Sequence, residues 1–375
     1  MKNILIAAFS EVSTDSRILR YISSIANEHH VILAGCGKKP DLPYKFDFID
    51  IGYTGKRKNK TFFDFIDYNL ILKIKLYKII KRISPDIIHA NDFETLLPSY
   101  FAFINSKSKI IYDSHEIWTE RAGVRKNLSS RAINYIEMLL EKAIIRKINE
   151  VVTVSETISS YLSSKYKIRR PVVIKNIPLP SAAEVVIAEE NKKLLDKLEN
   201  KIKFVYTGPI SKERNIPFLV SFFSNLENPN IHLLLIGKNF LKSSSAVGNI
   251  TFIDQVPENH LLSLLKLCDV GVHPLRTDDC LNHKYALPNK VFQYMQSGLA
   301  LFVFKNAETD NIIDSYKCGK TSSFSNEKET RASLEEFMRS DLNMMQQNSL
   351  NAYSDFLRRE SPGNLYKSII EKFSD

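Results

Sequence analysis

The stretch Asp278–Phe304, DDCLNHKYALPNKVFQYMQSGLALFVF, decides the fold of its half of the chain. Pro288 suits the first turn of a helix, because a proline needs no partner for its missing N–H. The helix then carries an apolar stripe at Val291, Phe292 and Met295. Gly298 is a typical helix stop. The apolar run Leu299–Phe304 follows, and it predicts a buried parallel strand.

The start of this helix is a potential anion site. The amides beside Asn289 and Lys290 have no partner within the helix, and they carry the positive end of its dipole. Such a helix start binds phosphate or carboxylate groups readily. From the local pattern alone, two interpretations stay open: an anion-binding unit and an ordinary helix–strand unit of an α/β protein.

The composition is that of a soluble globular protein, with 375 residues of which 44% are hydrophobic and 25% charged. This length accommodates two domains of ordinary size. The net charge of +10 favours anionic partners, such as nucleotide diphosphates, anionic lipid surfaces or nucleic acid. The chain lacks the aromatic–basic interleaving of nucleic-acid-binding modules, so we expect no nucleic-acid partner.

The cysteines and the apolar runs predict a cytoplasmic protein. The four cysteines are scattered and form no C-x-x-C pair, which is typical of structural thiols in a reduced compartment. The apolar run at the N-terminus is short for a secretory signal and fits a first strand better. No uncharged apolar run reaches the ~18 residues of a membrane span, so we expect any membrane contact to be peripheral.

The first residues predict a strand–helix–strand unit and therefore a parallel sheet. Its parts are the strand Asn3–Phe9, the helix Arg17–Glu28 and the strand His30–Ala34. The loop Ser10–Ser16 follows the first strand, at the end of an open α/β sheet where ligands bind. It contains no G-x-G-x-x-G, which argues against a nicotinamide dinucleotide.

A basic amphipathic helix is predicted at Leu70–Ile83, LILKIKLYKIIKRI. Five basic side chains surround its apolar face, at Lys73, Lys75, Lys78, Lys81 and Arg82. Such a helix can lie on an anionic membrane at the inner face of the plasma membrane. The alternative is a surface helix of the α/β layer with a solvated basic face, and the two interpretations are compatible.

Three pieces of the sequence resemble retaining GT-B glycosyltransferases of family 4 (group 1). LPNKVFQYMQSGLALFV, residues 287–303, resembles the donor-binding segment of that family. Tyr112–Glu116 (YDSHE) resembles the Y-D-x-H-E phrase of one branch. Phe204–Gly208, followed by Glu213–Asn215, resembles the strand–glycine–basic phrase. The pieces come in the family order, and the resemblance extends over nearly the whole chain.

The resemblance implies an α/β protein with the GT-B fold, in which two Rossmann-like domains with parallel sheets face a central cleft. We place the N-terminal acceptor-side domain at 1–178, a linker at 179–200 and the nucleotide-sugar-binding domain at 201–354. Residues 355–375 are expected to cross back to the first domain, as the last helix does in this fold.

The family pattern also implies roles for residues of the second half. Arg214 and Lys290 would stabilise the donor diphosphate electrostatically, with no metal and no cofactor beyond the nucleotide-sugar co-substrate. The other expected donor-binding residues are Gly208, Lys212, Gln255, Val256, Tyr285, Leu287, Pro288, Asn289 and Gln293. A solvated turn is the alternative interpretation for Lys212 and Arg214.

This chain departs from the family pattern at three donor positions. Pro209 stands where many members have a phosphate-binding arginine, and Tyr285 and Gln293 replace a pair of glutamates. Glutamine can still hydrogen-bond a ribose diol, although without charge assistance. A single arginine, Arg214, is chemically adequate to grip a phosphate through two bonds.

In the first half, the resemblance implies that His115 reaches the donor sugar near the reacting carbon. Asp15, Arg17, His89 and Glu116 are the acceptor-side candidates. Arg17 has the alternative role of opening a helix. His89 has the alternative role of a structural hydrogen-bonding group.

The sequence therefore predicts a retaining glycosyltransferase of the hexosyltransferase type. It would move a sugar from a nucleotide-diphosphate donor to a glycan or polyprenyl-linked acceptor, in synthesis of a bacterial surface polysaccharide such as capsule or O-antigen. Two alternatives remain: a catalytically weakened GT-B partner subunit, favoured by Pro209, Tyr285 and Gln293, and a nucleotide-sugar epimerase on the same fold.

Overall fold

The structure, a computed structural model, describes residues 1–52, 62–121, 128–180, 187–241 and 246–373. The chain divides into two compact units. Unit 1 comprises Met1–Asn176 and Glu360–Asp375, and unit 2 comprises Ile177–Arg359.

Unit 1 is built on a seven-stranded parallel sheet in the order β3-β2-β1-β4-β5-β6-β7. The strands are β1 (Asn3–Glu11), β2 (His30–Cys36), β3 (Asp47–Gly52), β4 (Ile87–Asn91), β5 (Lys109–Asp113), β6 (Glu150–Thr153) and β7 (Val172–Val173). The helices between them are α1 (Ser16–Ile25), α2 (Phe62–Ile83), α3 (Asp92–Phe103), α4 (Leu128–Ile145) and α5 (Glu156–Tyr166). In the centre of the sheet, Ile4 lies opposite Val31 of β2 and Ile87 of β4.

The apolar runs of the central strands place their side chains in a continuous core, as both faces of a parallel sheet are covered. Ile4, Ile6 and Ile87 are fully buried there with Ile18 and Ile22 of α1. The predicted strand–helix–strand unit is confirmed, with α1 ending at Ile25 instead of Glu28. β3 and α3 were not predicted.

Unit 2 has a second seven-stranded sheet, in the order β10-β11-β9-β8-β12-β13-β14. Its strands are β8 (Ile202–Thr207), β9 (Ile231–Ile236), β10 (Ala246–Val247), β11 (Ile250–Ile253), β12 (Val270–His273), β13 (Ala300–Phe304) and β14 (Gly319–Ser322). The short β10 is antiparallel to β11, whereas the other pairings are parallel.

Eight helices of unit 2 are described: α6 (Glu189–Asp196), α7 (Ile216–Ser224), α8 (Glu258–Leu265), α9 (Leu281–Lys284), α10 (Asn289–Gln296), α11 (Ala307–Tyr316), α12 (Glu327–Met338) and α13 (Leu342–Arg359). The helix–stop–strand prediction for Leu287–Phe304 is confirmed. Pro288 lies at the N-cap of α10, and Gly298 adopts a φ of 73° after its last turn. Every residue of β13 is buried.

Residues 187–200, which the sequence analysis assigns to a linker, belong to unit 2. Leu195 at the end of α6 and Leu198 are buried in the unit 2 core together with Ile177. Burial of these apolar side chains favours a fixed position for 187–200 within unit 2, because exposing them again would cost their hydrophobic free energy.

The C-terminal segment Glu360–Asp375 belongs to unit 1, whereas the sequence analysis places the crossing at residue 355. Phe356 still packs in the unit 2 core. The last helix, α14 (Pro362–Glu371), buries Tyr366, Ile369 and Ile370 in the unit 1 core. No helix within the described ranges is both long and apolar enough to cross a bilayer.

Candidate functional site

The strand order of unit 2 has a switch point between the ends of β8 and β12. From β8 the chain proceeds outward to β9 on one side, and later to β12 and β13 on the other. Ligands of open α/β sheets bind outside the carboxyl ends of the strands at such a switch point. Gly208 follows β8 directly, and His273 is the last residue of β12.

Lys290 lies directly against the Gly208 backbone. A Cβ on Gly208 would approach the Lys290 Cε to 2.7 Å and its Nζ to 3.0 Å. Gly208 also adopts a φ of 125°, which side chains other than glycine's rarely allow. The absence of a side chain at Gly208 therefore makes the space in which the ammonium group lies.

The pKa of Lys290 is lowered towards neutral pH, although the side chain is still mainly protonated at pH 7. Burial, reinforced by the nearby charge of Arg214, lowers the pKa of Lys290 to about 8. Arg214 ends a short 3-10 helix, Lys212–Arg214, and both of these basic residues are exposed. An anion beside Lys290 and Arg214 would remove their mutual repulsion, so this pair favours a negatively charged ligand.

Two stacked aromatic rings lie near Lys290 and Arg214. The rings of Tyr206 and His273 stack with centroids 5.8 Å apart and planes 9° from parallel. Burial and then the charges of Lys290 and Arg214 lower the pKa of His273 well below its usual range, so the ring is neutral. Neither of its ring nitrogens has a hydrogen-bond partner among the described residues.

Tyr294 of α10 forms hydrogen bonds with the ends of both β8 and β12. Its hydroxyl accepts a hydrogen bond from the Thr207 amide at 3.1 Å and donates one to the Val272 carbonyl at 3.2 Å. The helix that carries Lys290 is thereby fixed to the ends of β8 and β12. The sequence analysis did not identify Tyr294 as a residue of the site. In the sequence it is one aromatic residue of an amphipathic helix, and its hydrogen bonds are not visible there.

The predicted donor residues around α10 lie as the sequence pattern indicates. Pro288 caps the helix, Asn289 is its first residue, and Leu287 is buried beneath it. Gln293 and Tyr285 are half-buried, on α10 and just after α9 respectively. Their contacts with a donor stay predictions.

Gln255 and Val256 line a separate groove of about 760 Å³. They follow β11, two strands away from β8, and the opposite wall is formed by Ile187 and α6. A role of this groove in holding the base stays a prediction.

Arg276 occupies the acidic loop after β12. Its guanidinium binds Asp278 at 3.0 Å and Asp279 at 3.4 Å. Pro209, at the place of the family arginine, is exposed, and its carbonyl accepts a hydrogen bond from the Tyr206 hydroxyl at 3.2 Å.

The switch point of unit 1 lies between β1 and β4. Asp15 caps α1 there, because its carboxylate accepts hydrogen bonds from the amides of Arg17 and Ile18 at 3.2 and 3.4 Å. Arg17 is nearly buried, and its guanidinium lies 3.6 Å from Asp113 and 3.8 Å from Asp15. Arg17 thus opens the helix and forms an internal ion pair, and a contact with the acceptor stays a prediction.

Asp113 is the fully buried carboxylate of this cluster. Burial alone would raise its pKa, but the positive charge of Arg17 and the nearby side chain of His89 hold the pKa of Asp113 well below its usual range. The Tyr21 hydroxyl donates a hydrogen bond to the same carboxylate at 3.1 Å. Asp113 is therefore ionised at neutral pH.

His89, predicted as an acceptor-side residue, lies on β4 in the core of unit 1. His89 is fully buried, and its ring packs against those of Tyr21 and Tyr366 at centroid distances of 4.9 and 5.1 Å. It points into the core, because alternate residues of a buried strand face the helices on either side. A contact of His89 with the acceptor stays a prediction.

His115 and Asp92 form a half-buried pair. The His115 Nδ1 lies 2.6 Å from the Asp92 Oδ1. Burial and the charge of Arg17 lower the pKa of His115, but the carboxylates of Asp92 and Asp113 together outweigh both, so the net shift is upward. Asp92 adopts a φ of 64°, a left-handed conformation that aspartate tolerates better than most residues.

Asp92 is a site candidate that the sequence interpretation missed. It follows β4 immediately, and the carboxyl end of a central strand is the signal that could have identified it. Glu116, by contrast, follows His115 and is half-buried, and its carbonyl accepts a hydrogen bond from the Ser114 hydroxyl at 3.0 Å. Its acceptor-side role stays a prediction.

Among the residues that the structure describes, no three His, Cys, Asp or Glu side chains are grouped to hold a metal ion. Metal independence of the reaction stays a prediction.

Comparison with known families shows to which family the chain belongs. The model described as Glycosyltransferase Family 4 matches residues 18–177, and the model described as Glycosyl transferases group 1 matches residues 187–355. The chain is a GT-B glycosyltransferase of the family 4, group 1 type. No curated protein sequence matches this glycosyltransferase.

Solved structures share the fold of this glycosyltransferase over its full length. Sucrose-phosphate synthase from Thermosynechococcus elongatus has a TM-score of 0.74 at 12% identity, covering 99% of each chain. HepE of Anabaena in complex with UDP and glucose has a TM-score of 0.69 at 13% identity, covering 100% of each chain. WaaG, a glycosyltransferase involved in lipopolysaccharide biosynthesis, has a TM-score of 0.69 at 11% identity, covering 99% of each chain.

Proposed function

We propose that this glycosyltransferase moves a sugar from a nucleotide-diphosphate donor to a glycan or polyprenyl-linked acceptor with retention of the anomeric configuration. The observation that carries the donor assignment is the ammonium of Lys290 against the Gly208 backbone, next to Arg214. Two cations and the free amides at the start of α10 converge on the switch point of unit 2. Such a site matches the pyrophosphate of an activated sugar.

The chemistry assigned to this site is electrostatic. Cleavage of the sugar–phosphate bond leaves a full negative charge on the departing diphosphate, and preorganised donors stabilise that charge as it develops. A protonated Lys290 supplies one positive charge and Arg214 a second. A front-face mechanism, as in the family, needs no enzyme nucleophile. His115 is proposed to take part in the transfer as the family histidine does.

A UDP-sugar is the first donor to test. HepE of Anabaena binds UDP and UDP-glucose, and trehalose-6-phosphate synthase of E. coli binds UDP-2-fluoroglucose, on the same fold. These relatives are distant in sequence, so they suggest the base and leave the transferred sugar open.

The acceptor is proposed to be a lipid-linked glycan of a bacterial surface polysaccharide, such as capsule or O-antigen. The structurally similar WaaG acts in lipopolysaccharide biosynthesis. The chain carries +10 net charge, and the exposed side of α2 presents Lys75, Lys78, Lys81 and Arg82. These features support a peripheral position at the inner face of the plasma membrane.

A thermal-shift panel of UDP, GDP, ADP and CMP tests the donor assignment. A nucleotide that binds only the folded state raises the melting temperature of the protein, and the rise increases with affinity. We expect one nucleoside diphosphate to stabilise the wild type and not the Lys290→Ala variant. Equal stabilisation of the wild type and the Lys290→Ala variant by that nucleotide would contradict the assignment of Lys290 to the donor site.

A turnover assay then separates the competing functions. The matching nucleotide-sugar is incubated with and without a lipid-linked glycan acceptor, and the anomeric configuration of the product is determined by NMR. We expect nucleotide release only with acceptor, an α-linked product from an α-linked donor, and loss of turnover in Arg214→Ala. Isomerised donor without acceptor would indicate an epimerase. Unchanged activity of Arg214→Ala and Lys290→Ala within a larger complex would indicate a partner subunit.

A further inference from the structure

The strands β8 and β9 stay paired beyond the residues at which each strand ends. Inside the sheet, Thr207 of β8 lies opposite Ile236 of β9. Beyond the strands, Ile210 lies opposite Asn239 in the same parallel register. The backbones of the two following loops therefore run side by side at the carboxyl edge of the unit 2 sheet.

This continued register puts Lys238 next to Pro209. The Ile210 amide donates a hydrogen bond to the Lys238 carbonyl at 3.0 Å, and the Phe240 amide donates one to the Ile210 carbonyl at 2.9 Å. Pro209 precedes Ile210 and Lys238 precedes Asn239, so these two residues also lie opposite each other. Because paired strands lie about 4.8 Å apart, the Lys238 side chain starts beside a position that carries no charge of its own.

Two glycines connect Lys238 to the cation already described. A Cβ on Gly237 would meet the Gly208 carbonyl oxygen at 2.1 Å, so the two loop backbones are in close contact at this point. Gly208 in turn lies against the Lys290 side chain. Lys290 contacts one member of this glycine pair, and Lys238 directly follows the other.

The Lys238 side chain is exposed, and its charge is not used within the protein. Its Nζ lies 5.4 Å from the centre of the Phe240 ring, and Phe240 is itself 51% exposed. In the part of the chain that the structure describes, no carboxylate forms an ion pair with Lys238. A cation of this kind, at the carboxyl edge of an α/β sheet, is available to an anionic ligand.

We propose that Lys238 is a third cation of the donor site and binds the donor diphosphate together with Lys290 and Arg214. The inference rests on the proposed function and adds a residue to the same site. The charge that Pro209 lacks is supplied from the neighbouring loop after β9. Cleavage of the sugar–phosphate bond adds negative charge to the diphosphate, and Lys238 stabilises the leaving group as that charge develops.

Calorimetric titration of the wild type and Lys238→Gln tests this role. The probe is whichever of UDP, GDP and ADP stabilises the wild type most, and its nucleoside without phosphate is the control ligand. We expect affinity for the diphosphate to fall by about tenfold, a modest loss for a charge-assisted contact because an exposed cation is screened by solvent. Affinity for the nucleoside should not change.

Two results would overturn the proposal. One is equal affinity of the variant and the wild type for the diphosphate. The other is an equal loss of affinity for the diphosphate and the nucleoside, which would assign Lys238, with the Phe240 ring, to the base or the ribose.

An arginine at position 209 provides a rescue experiment. Pro209→Arg in the Lys238→Gln background returns a cation to the adjacent loop, and it keeps the carbonyl of residue 209 that the Tyr206 hydroxyl contacts. We expect most of the lost diphosphate affinity to return. A purely structural role of Lys238 would not be restored in this way, so absence of any recovery would contradict the proposal.

Lys266→Gln is the matched control. Lys266 is also exposed, but it follows α8 at the amino end of β12, on the opposite edge of the same sheet. We expect its diphosphate affinity to equal that of the wild type. Both lysines are exposed, so an unchanged melting temperature checks the folding of each variant.

Lys290→Met, titrated in parallel, separates this inference from the proposed function. Loss of diphosphate affinity in Lys290→Met but not in Lys238→Gln would keep the donor site and overturn the role of Lys238. Absence of diphosphate binding by the wild type would overturn both.

Discussion

Lys290 occupies the space that a side chain on Gly208 would fill, with its Nζ 3.0 Å from the position of that missing Cβ. The two residues are far apart in sequence and are brought together by the pairing of β8 with β12, the strand that leads into α10. This contact puts a cation against an open backbone segment at the switch point of unit 2. It is the structural basis of the donor site proposed here.

Gly208→Ala should displace the Lys290 side chain. The new methyl group would meet the Lys290 Cε at 2.7 Å, so the lysine has to move. Gly248→Ala is the matched control, since Gly248 also has a positive φ, 58°, but an added Cβ meets nothing within 4 Å. We expect both to lose some stability and only Gly208→Ala to lose nucleotide diphosphate binding in a thermal-shift assay. Equal nucleotide binding by both variants would contradict this account.

Lys290→Met should stabilise the free protein at neutral pH. The pKa of Lys290 is lowered to about 8 in the folded chain, against about 10.4 for an unfolded lysine. Between these values the unfolded chain binds more protons, so wild-type stability rises with pH across that window. We expect the melting temperature of the variant to exceed that of the wild type at pH 7, and the gap to narrow by pH 10. A variant that melts below the wild type at pH 7 would show that the lysine is not strained by its surroundings.

Asp92→Asn should lower the pKa of His115. Asp92 and Asp113 hold this pKa above its usual value against burial and the charge of Arg17, and Asp92 contributes more. Asparagine tolerates the left-handed backbone at this position, so the fold is kept. Histidine NMR titration should show a fall in the His115 pKa to below about 6.5. An unchanged titration would mean that Asp92 does not control His115.

The same pair contributes to stability with a defined pH dependence. Because the folded pKa of His115 is raised, its contribution is complete below the unfolded pKa and is lost as pH rises through the folded value. The melting temperature of the wild type should therefore fall towards that of Asp92→Asn as pH increases through the neutral range.

Asp113→Ala should destabilise unit 1 strongly. It leaves the nearly buried guanidinium of Arg17 without its closest carboxylate, and breaking a buried pair in this way costs about 3–5 kcal/mol. Asp15→Ala, which removes the helix cap of α1, is expected to cost only about 1 kcal/mol. Urea unfolding followed by circular dichroism measures both. The contribution of Asp113 should be lost as pH falls through its lowered pKa.

The sequence was sufficient for features that depend on local pattern. Pro288, the apolar stripe of α10 and Gly298 predicted a helix and its limits, because these residues act through backbone conformation that neighbours in sequence decide. The apolar runs Asn3–Phe9, His30–Ala34 and Leu299–Phe304 predicted strands for the same reason. Short elements with polar residues, such as β3 and β14, gave no comparable pattern.

What the sequence could not provide was the direction in which a side chain points across the fold. His89 and His115 lie near the ends of neighbouring strands, yet His89 is fully buried in the core, whereas His115 is half-buried beside Asp92. Glu137 and Glu141 look like solvated charges of α4, and both are held inside by hydrogen bonds. Such pairings join residues from different elements, and they are determined by packing.

The most direct test of the donor site is calorimetric titration of the wild type and Lys290→Met with the nucleoside diphosphate that gives the largest thermal shift. The corresponding nucleoside without phosphate serves as the control ligand. Loss of a charge-assisted contact is worth about 1.5–3 kcal/mol, so we expect affinity for the diphosphate to fall by about 10- to 150-fold. Affinity for the nucleoside should not change. Equal affinity of both proteins for the diphosphate would contradict the claim that Lys290, beside Gly208, holds the donor pyrophosphate.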